Sequence, residues 1–294
     1  MTNLYLHIGY PKTATTTLQK HVFQHHPDIN YLGIKGVERK GVDEHTHQIF
    51  TELTQNPKTE FDKDKIMCCK TYLNTILNQN QNNLHQSLLF SNEDIVDSRK
   101  QDVITKADLL KEFFKDAKVI IVLRNQVDII RSMYDMAPHK PLGIKDRYYA
   151  FDKWIDLSFK YYGKSFLCSL NYHRIVEHYR KLFGENNVEI LLFEDILNKP
   201  VEFCNQISCF MKINPDTTQS LLTGSSPEKK SKRFIGDRIP KISSILPPLV
   251  KSFLKRKSRI KEADRVKIAE NFRYSNRKLQ QDFGLNIAQY NYPL

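Results

Sequence analysis

Between positions 9 and 17 the chain reads Gly9-Tyr10-Pro11-Lys12-Thr13-Ala14-Thr15-Thr16-Thr17, a lysine and a cluster of hydroxyls packed into one short stretch. The apolar run Asn3 to Ile8 before it reads as a strand, and Leu18 to His25 after it continues a helical pattern. Strand, tight loop and helix in that order turn successive backbone N–H groups and a helix N-terminus toward one point. Lys12 adds a full positive charge there, and the hydroxyls of Thr13, Thr15, Thr16 and Thr17 add donors, so the chemistry predicted is the binding of a phosphate-like anion. The competing reading is a Thr-rich helix cap after a turn; the lysine and the placement directly behind a strand favour the cradle. The spacing is not that of the nucleotide-triphosphate loop G-x-x-x-x-G-K-[ST], because Gly9 and Lys12 are too close and Ala14 stands where a flexible glycine would help.

Such a loop needs a sheet to carry it. Short apolar runs at Asn3 to Ile8, Ile66 to Cys69, Ser87 to Ser91, Lys118 to Leu123 and Val188 to Phe193 predict buried strands. Apolar residues three or four apart predict helices over Thr15 to His25, Lys106 to Phe114, Val127 to Met136, Leu170 to Phe183 and Val201 to Met211. The polar run Asn78 to Asn83 reads as a loop. Alternation of the two element types implies an α/β fold, a parallel β-sheet flanked by helices, in which ligands bind beyond the carboxyl ends of the strands.

Pro11-Lys12-Thr13-Ala14-Thr15-Thr16 resembles the short 5′-phosphosulfate loop P-K-[TS]-[GA]-[TS]-[TS] of bacterial-type sulfotransferases that use 3′-phosphoadenosine-5′-phosphosulfate (PAPS). Ala14 departs from the commoner Gly, and Thr17 from the commoner Trp or Ser. The resemblance implies a second signature, an Arg after a central strand and a Ser eight residues on, both gripping the 3′-phosphate. Arg124 and Ser132, behind Lys118 to Leu123, supply it; an arginine at a strand end can present its planar fork to phosphate. Weaker similarity runs through Tyr172 to Phe183, Val188 to Ile196, Val201 to Ile213 and Tyr274 to Leu279, so the resemblance covers about residues 3 to 290. It implies a P-loop-like sulfotransferase architecture with PAPS-binding residues Pro11, Lys12, Thr13, Ala14, Thr15, Thr16, Thr17, Arg124 and Ser132.

Sulfuryl transfer is an in-line displacement in which an acceptor oxygen attacks sulfur and 3′-phosphoadenosine 5′-phosphate (PAP) departs. By analogy with phosphoryl transfer, positioning and electrostatics carry the rate, which makes Lys12 the primary catalytic residue and requires no metal. Glu93, after strand Ser87 to Ser91, is the first candidate for the base that takes the acceptor's proton, worth about 10²- to 10⁴-fold in rate; the plainer reading is a first-turn carboxylate facing a helix dipole. Asp94 reads as such a carboxylate, His7 as a core histidine, and His139 and His173 carry no motif. Tyr148-Tyr149 and Tyr161-Tyr162 are aromatic pairs that stack on a ring or pack in the core.

The chain of 294 residues carries a net charge of +12. From Ser225 onward 17 Lys and Arg face 6 Asp and Glu, so residues 225–294 form a basic, mostly helical C-terminal lobe of one domain spanning 1–294. Its run Lys229-Lys230-Ser231-Lys232-Arg233 reads as a rim for cofactor or glycan, or as a solvated face, and lacks the Arg-Lys-Gly pattern of the phenol and steroid branch. A hydroxyl on a carbohydrate or glycoconjugate is therefore the expected acceptor. Five Cys without a C-x-x-C pair argue against zinc or a disulfide framework, and no secretory signal or membrane span is legible, so a cytoplasmic protein is expected. A kinase reading rests on Val188 to Asp195 as a strand ending in a magnesium-binding acid, and a nucleic-acid reading on charge alone; no nucleic-acid-binding motif accompanies it.

Overall fold

A computed structural model describes residues 3–32, 63–81, 86–98, 102–138, 148–224 and 260–294. His139 and the whole segment 225–259, with its 229–233 run, therefore lie outside the described residues. Five parallel strands form one sheet: β1 (Leu4–His7), β2 (Ile29–Tyr31), β3 (Ser87–Ser91), β4 (Lys118–Leu123) and β5 (Val188–Leu192), in the order β2-β3-β1-β4-β5. Four of the five strands, β1, β3, β4 and β5, were legible to within a residue at either end, because unbroken apolar runs are what a strand covered on both faces requires. Their side chains alternate between two cores. Leu4, Leu6, Leu88, Phe90, Val119, Ile121, Val188 and Ile190 face one; Tyr5, Leu89, Ile120, Val122 and Leu191 face the other.

Two expectations fail. Ile66 to Cys69 is not a strand but lies within helix α2 (Lys63–Gln81), after α1 (Thr15–Thr17). A four-residue apolar run has no period of its own; what decides is the continuation, where Leu73 is buried and Tyr72, Ile76 and Leu77 pack on the core at helical spacing. The same helix absorbs Asn78 to Gln81 of the expected loop. The fifth strand is instead β2, whose three residues Ile29-Asn30-Tyr31 pair with β3 at the sheet edge.

The remaining helices are α3 (Val103–Phe113), α4 (Gln126–Met136), α5 (Phe151–Lys160), α6 (Tyr172–Phe183), α7 (Phe193–Asn198), α8 (Pro200–Met211), α9 (Pro215–Gly224) and α10 (Glu262–Phe283). Of the last lobe, Ile268, Phe272, Leu279, Ile287 and Tyr292 join the core cluster that holds β1 and β4. Because β3 and β4 lie on opposite sides of β1, the connection between them crosses it, and the crevice beyond the carboxyl ends of β1 and β4 is the switch point where such sheets bind ligands.

His7 ends β1 wholly buried, its Nδ1 2.7 Å from Ser91 Oγ, which also accepts a hydrogen bond from Gln19 Nε2 at 2.8 Å. Burial pushes its pKa down from 6.5 to about 3. Between those values the unfolded chain binds a proton that the folded one refuses, so this share of stability is complete above pH 6.5 and is lost as the pH falls toward 3. Chemical denaturation across that window should show stability falling by up to about 1.4 kcal/mol per pH unit on this account, and His7→Gln should flatten the curve; an identical slope in the variant would assign the loss to other groups.

Candidate active site

Strand register predicts which residues meet at the switch point. His7 pairs with Ile120 on β4 and with Ser91 on β3. Counting onward, Arg124 comes level with Pro11 and Glu93 level with Gly9, so the ends of three adjacent strands deliver the loop, the arginine and the carboxylate to one edge of the sheet.

The loop is held open by its own interior. Thr13 Oγ1 and Thr15 Oγ1 both donate to the carbonyl of Tyr10, at 2.6 and 3.1 Å, and the Thr13 N–H joins them at 3.3 Å. These two hydroxyls are buried and shape the loop; Thr16 and Thr17, half-buried on α1, remain at its outer side. Tyr10 is buried in turn, its hydroxyl donating to the Ser169 carbonyl at 2.7 Å and its ring meeting Tyr172 edge-on. Lys12 and Ala14 adopt left-handed backbone conformations, with φ of 71° and 60°. That is why glycine is the commoner residue at position 14: a side chain there costs about 1–2 kcal/mol. Gly9 is required for a different reason, since a Cβ would lie 2.6 Å from Thr15 Oγ1 and 2.8 Å from His7 Nε2. After α1 the chain widens into a π-helical stretch over Leu18–Phe23, with the Gln24 N–H reaching back to Gln19, rather than continuing as the expected α-helix to His25.

Arg124 locks onto this loop. Its Nη1 donates to the Lys12 carbonyl at 2.6 Å, and its guanidinium stacks on Phe193, 4.3 Å from the ring centre. Burial lowers its pKa, against the pull of Asp128 and Glu194. The Nε–H is buried without a hydrogen-bond partner. A buried donor on a charged group is costly to leave unpaired, and an acceptor brought to this point from outside the chain would gain a full hydrogen bond. One peptide unit carries the arginine: Tyr172 Oη donates to the Arg124 carbonyl at 2.7 Å, and the Asn125 N–H donates to Glu194 Oε1 at 2.9 Å. Asn125 caps α4 by accepting from the Val127 N–H. Ser132 is half-buried on α4, beyond Arg131, which pairs with Asp128.

Glu93 is half-buried at the start of the 3₁₀ turn Glu93–Val96, whose side-chain cap is Asn92, bonded to the Asp94 N–H at 2.7 Å. Buried Lys106 closes the other end through the carbonyls of Asp94 and Asp97. His173 is engaged with Asp282, its Nε2 2.7 Å from Oδ2. Sequence reasoning did not pick out Tyr10, Asn125, Tyr172 or Phe193 as parts of the site; only Asn125, a residue type that caps helices just before a helical pattern, carried a local signal. The acids of the kinase reading are engaged elsewhere, Glu194 as above and Asp195 with the Tyr290 hydroxyl. Among the described residues no three His, Cys, Asp or Glu gather as a metal site, and no helix is long and apolar enough to cross a membrane.

A loop bearing a lysine after one strand and an arginine fork with an orphan N–H after the next stand side by side at the switch point of an α/β sheet. Residues 5–237 match the family model described as the sulfotransferase domain, and the chain belongs to that family, whose enzymes use PAPS. Among solved structures, a sulfotransferase from Alicyclobacillus acidocaldarius shares the fold at 16% identity and a TM-score of 0.57, covering 99% of this chain and 98% of that one. Mouse sulfotransferase SULT7A1 complexed with PAP also aligns at 16% identity with a TM-score of 0.50, over 98% of this chain and 88% of that one. No curated relative matches the sequence.

Two substitutions test the loop. Gly9→Ala should abolish nucleotide binding and lower the melting temperature, because both clashing atoms sit on buried side chains. Ala14→Gly should leave binding intact and raise stability by about 1 kcal/mol through relief of the left-handed strain; a loss of stability would mean that position 14 is unstrained.

Proposed function

We propose that the chain transfers a sulfuryl group from PAPS to a hydroxyl, with Lys12 and Glu93 as the catalytic residues. The observation that carries this reading is Arg124: a stacked, half-buried guanidinium with one N–H on the Lys12 carbonyl and a buried Nε–H lacking a partner. PAPS, when bound, supplies the sulfuryl group, and PAP remains. The N–H groups of Lys12, Ala14, Thr15, Thr16 and Thr17 are assigned to the 5′-phosphosulfate, with the Thr16 and Thr17 hydroxyls beside them; Pro11, which has no N–H, and Thr13, whose N–H and hydroxyl turn inward, serve with the Thr15 hydroxyl by shaping the loop. Lys12 neutralises negative charge at the transferring end, an electrostatic role that calls for no metal. Arg124 and Ser132 hold the 3′-phosphate. Glu93 accepts the proton of the acceptor hydroxyl.

The acceptor is proposed to be a carbohydrate or glycoconjugate. The net charge of +12 suits an anionic glycan, and each aromatic pair has one exposed member, Tyr148 and Tyr161, while Tyr149 and Tyr162 pack on the core. Free thiols at Cys68, Cys168, Cys204 and Cys209 suit a reducing compartment, hence a cytoplasmic assignment.

Calorimetric titration with PAP, its analogue lacking the 3′-phosphate, and ATP, all with chelator present, tests the donor. Tight PAP binding that collapses without the 3′-phosphate is expected; preference for ATP with magnesium would overturn the assignment. Lys12→Ala should remove most turnover, and Arg124→Ala should weaken PAP while leaving the analogue's affinity little changed. Glu93→Gln should cut turnover by about 10²- to 10⁴-fold with PAP affinity preserved; undiminished turnover would move the base elsewhere.

A further inference from the structure

Arg124 stands at the head of an elbow, Arg124-Asn125-Gln126, between β4 and α4, and the two residues that follow it are tied to the same distant stretch of chain. Asn125 Nδ2 donates to the carbonyls of Tyr290 and Asn291, at 3.0 and 2.8 Å. Gln126 and Asn276 exchange amide hydrogen bonds at 2.7 and 3.1 Å, and Asn276 also donates to the Pro293 carbonyl at 2.8 Å. Tyr292 Oη donates at 3.1 Å to Glu194 Oε2, the other oxygen of the carboxylate that holds the Asn125 N–H. Tyr292 is nearly fully buried, so its hydroxyl is fixed by packing. Asn276 and Tyr292 both fall beyond residues 5–237, outside the stretch that the family model matches.

The geometry points to the segment from Asn276 to Pro293 as a brace for the 3′-phosphate end of the site, with Tyr292 a positioning residue that acts through Glu194 on the peptide bearing Arg124. The inference rests on the reading of Arg124 as the 3′-phosphate ligand. Its physical basis is leverage. The guanidinium lies at the end of a long side chain, and Tyr172 and Glu194 grip the Arg124–Asn125 peptide from its two sides, oxygen and N–H. If the Glu194 carboxylate loses one of its two donors it can turn, the peptide tilts, and the fork leaves the position in which it also meets the Lys12 carbonyl. Displacements of about 1 Å at a binding or reacting group change rates and affinities severely. A residue that only filled the core would influence folding and every ligand alike. A brace of this kind influences one contact.

The test is the ratio of affinities for PAP and for the analogue lacking the 3′-phosphate, measured by calorimetry on the full chain. Tyr292→Phe keeps the ring and removes the hydroxyl; the ratio should fall about tenfold, the size expected for one hydrogen bond to a charged group, while the analogue's affinity stays within about twofold. Glu194→Gln can still accept from the Asn125 N–H and can donate to the Tyr292 oxygen, so it should keep the ratio near that of the parent, whereas Glu194→Ala should lose it. An unchanged ratio in Tyr292→Phe, or an equal fall for both ligands tracking a lower melting temperature, would overturn the brace. If the parent protein itself failed to distinguish PAP from the analogue, the assignment of Arg124 would be at fault instead.

Discussion

The hydrogen bond from Arg124 to the Lys12 carbonyl joins the two halves of the site, and much of the fold can be understood as the means of making it. It requires β1 and β4 to be neighbours, parallel and in a register that lets β4 run past the end of β1. It also opposes a cost: Lys12 has a left-handed backbone, which a residue with a side chain adopts only when its surroundings hold it there. A neutral donor would satisfy the carbonyl equally well. An arginine does so with one N–H and retains others in the same rigid plane, and Phe193 beneath that plane keeps it from swinging away.

The polar groups around the loop divide into those turned inward and those left over. Thr13, Thr15 and the Thr13 N–H all converge on one carbonyl, that of Tyr10, which is an unusual concentration of donors on a single acceptor. The result is a loop whose curvature is set from within and whose outer amides need not be recruited to maintain it. Gly9 belongs to the same economy of space, since Thr15 Oγ1 and His7 Nε2 occupy the volume a side chain would need. Pre-formed curvature matters for anion binding because reorganisation during catalysis would subtract from the electrostatic stabilisation.

Legibility from sequence followed the range of the interaction. The central strands and most helices could be read because apolar periodicity is local, and the loop could be read because its strand, lysine and hydroxyls are contiguous. β2 escaped because three residues at an edge carry no period, and Ile66 to Cys69 misled because a run of four is equally at home in a helix. The network behind Arg124 could not have been read at all. Its bonds link Asn125 to Glu194, Glu194 to Tyr292 and Asn125 to Asn291, and nothing in the local pattern of a buried tyrosine or a capping asparagine says which distant partner it will meet. Glu194 itself resembled a metal-binding acid at a strand end, whereas its oxygens are taken by a backbone amide and a phenol.

The same distinction bears on the choice between His7 and Glu93 as the proposed proton acceptor. His7 is closer along the chain and belongs to a residue type well suited to the task, but it lies beneath the loop with one nitrogen engaged by Ser91. Burial disfavours its protonated form so strongly that it could not retain a proton near neutral pH. An acceptor hydroxyl must arrive from solvent, on the open side of the cradle, and a base must reach it there. Glu93, carried one strand over and level with Gly9, is only half-buried and sits on a turn fastened at one end by Asn92 and at the other by Lys106. A carboxylate at the rim on a fixed turn can meet a variable acceptor without entering the core, and the histidine below it is left to hold the floor.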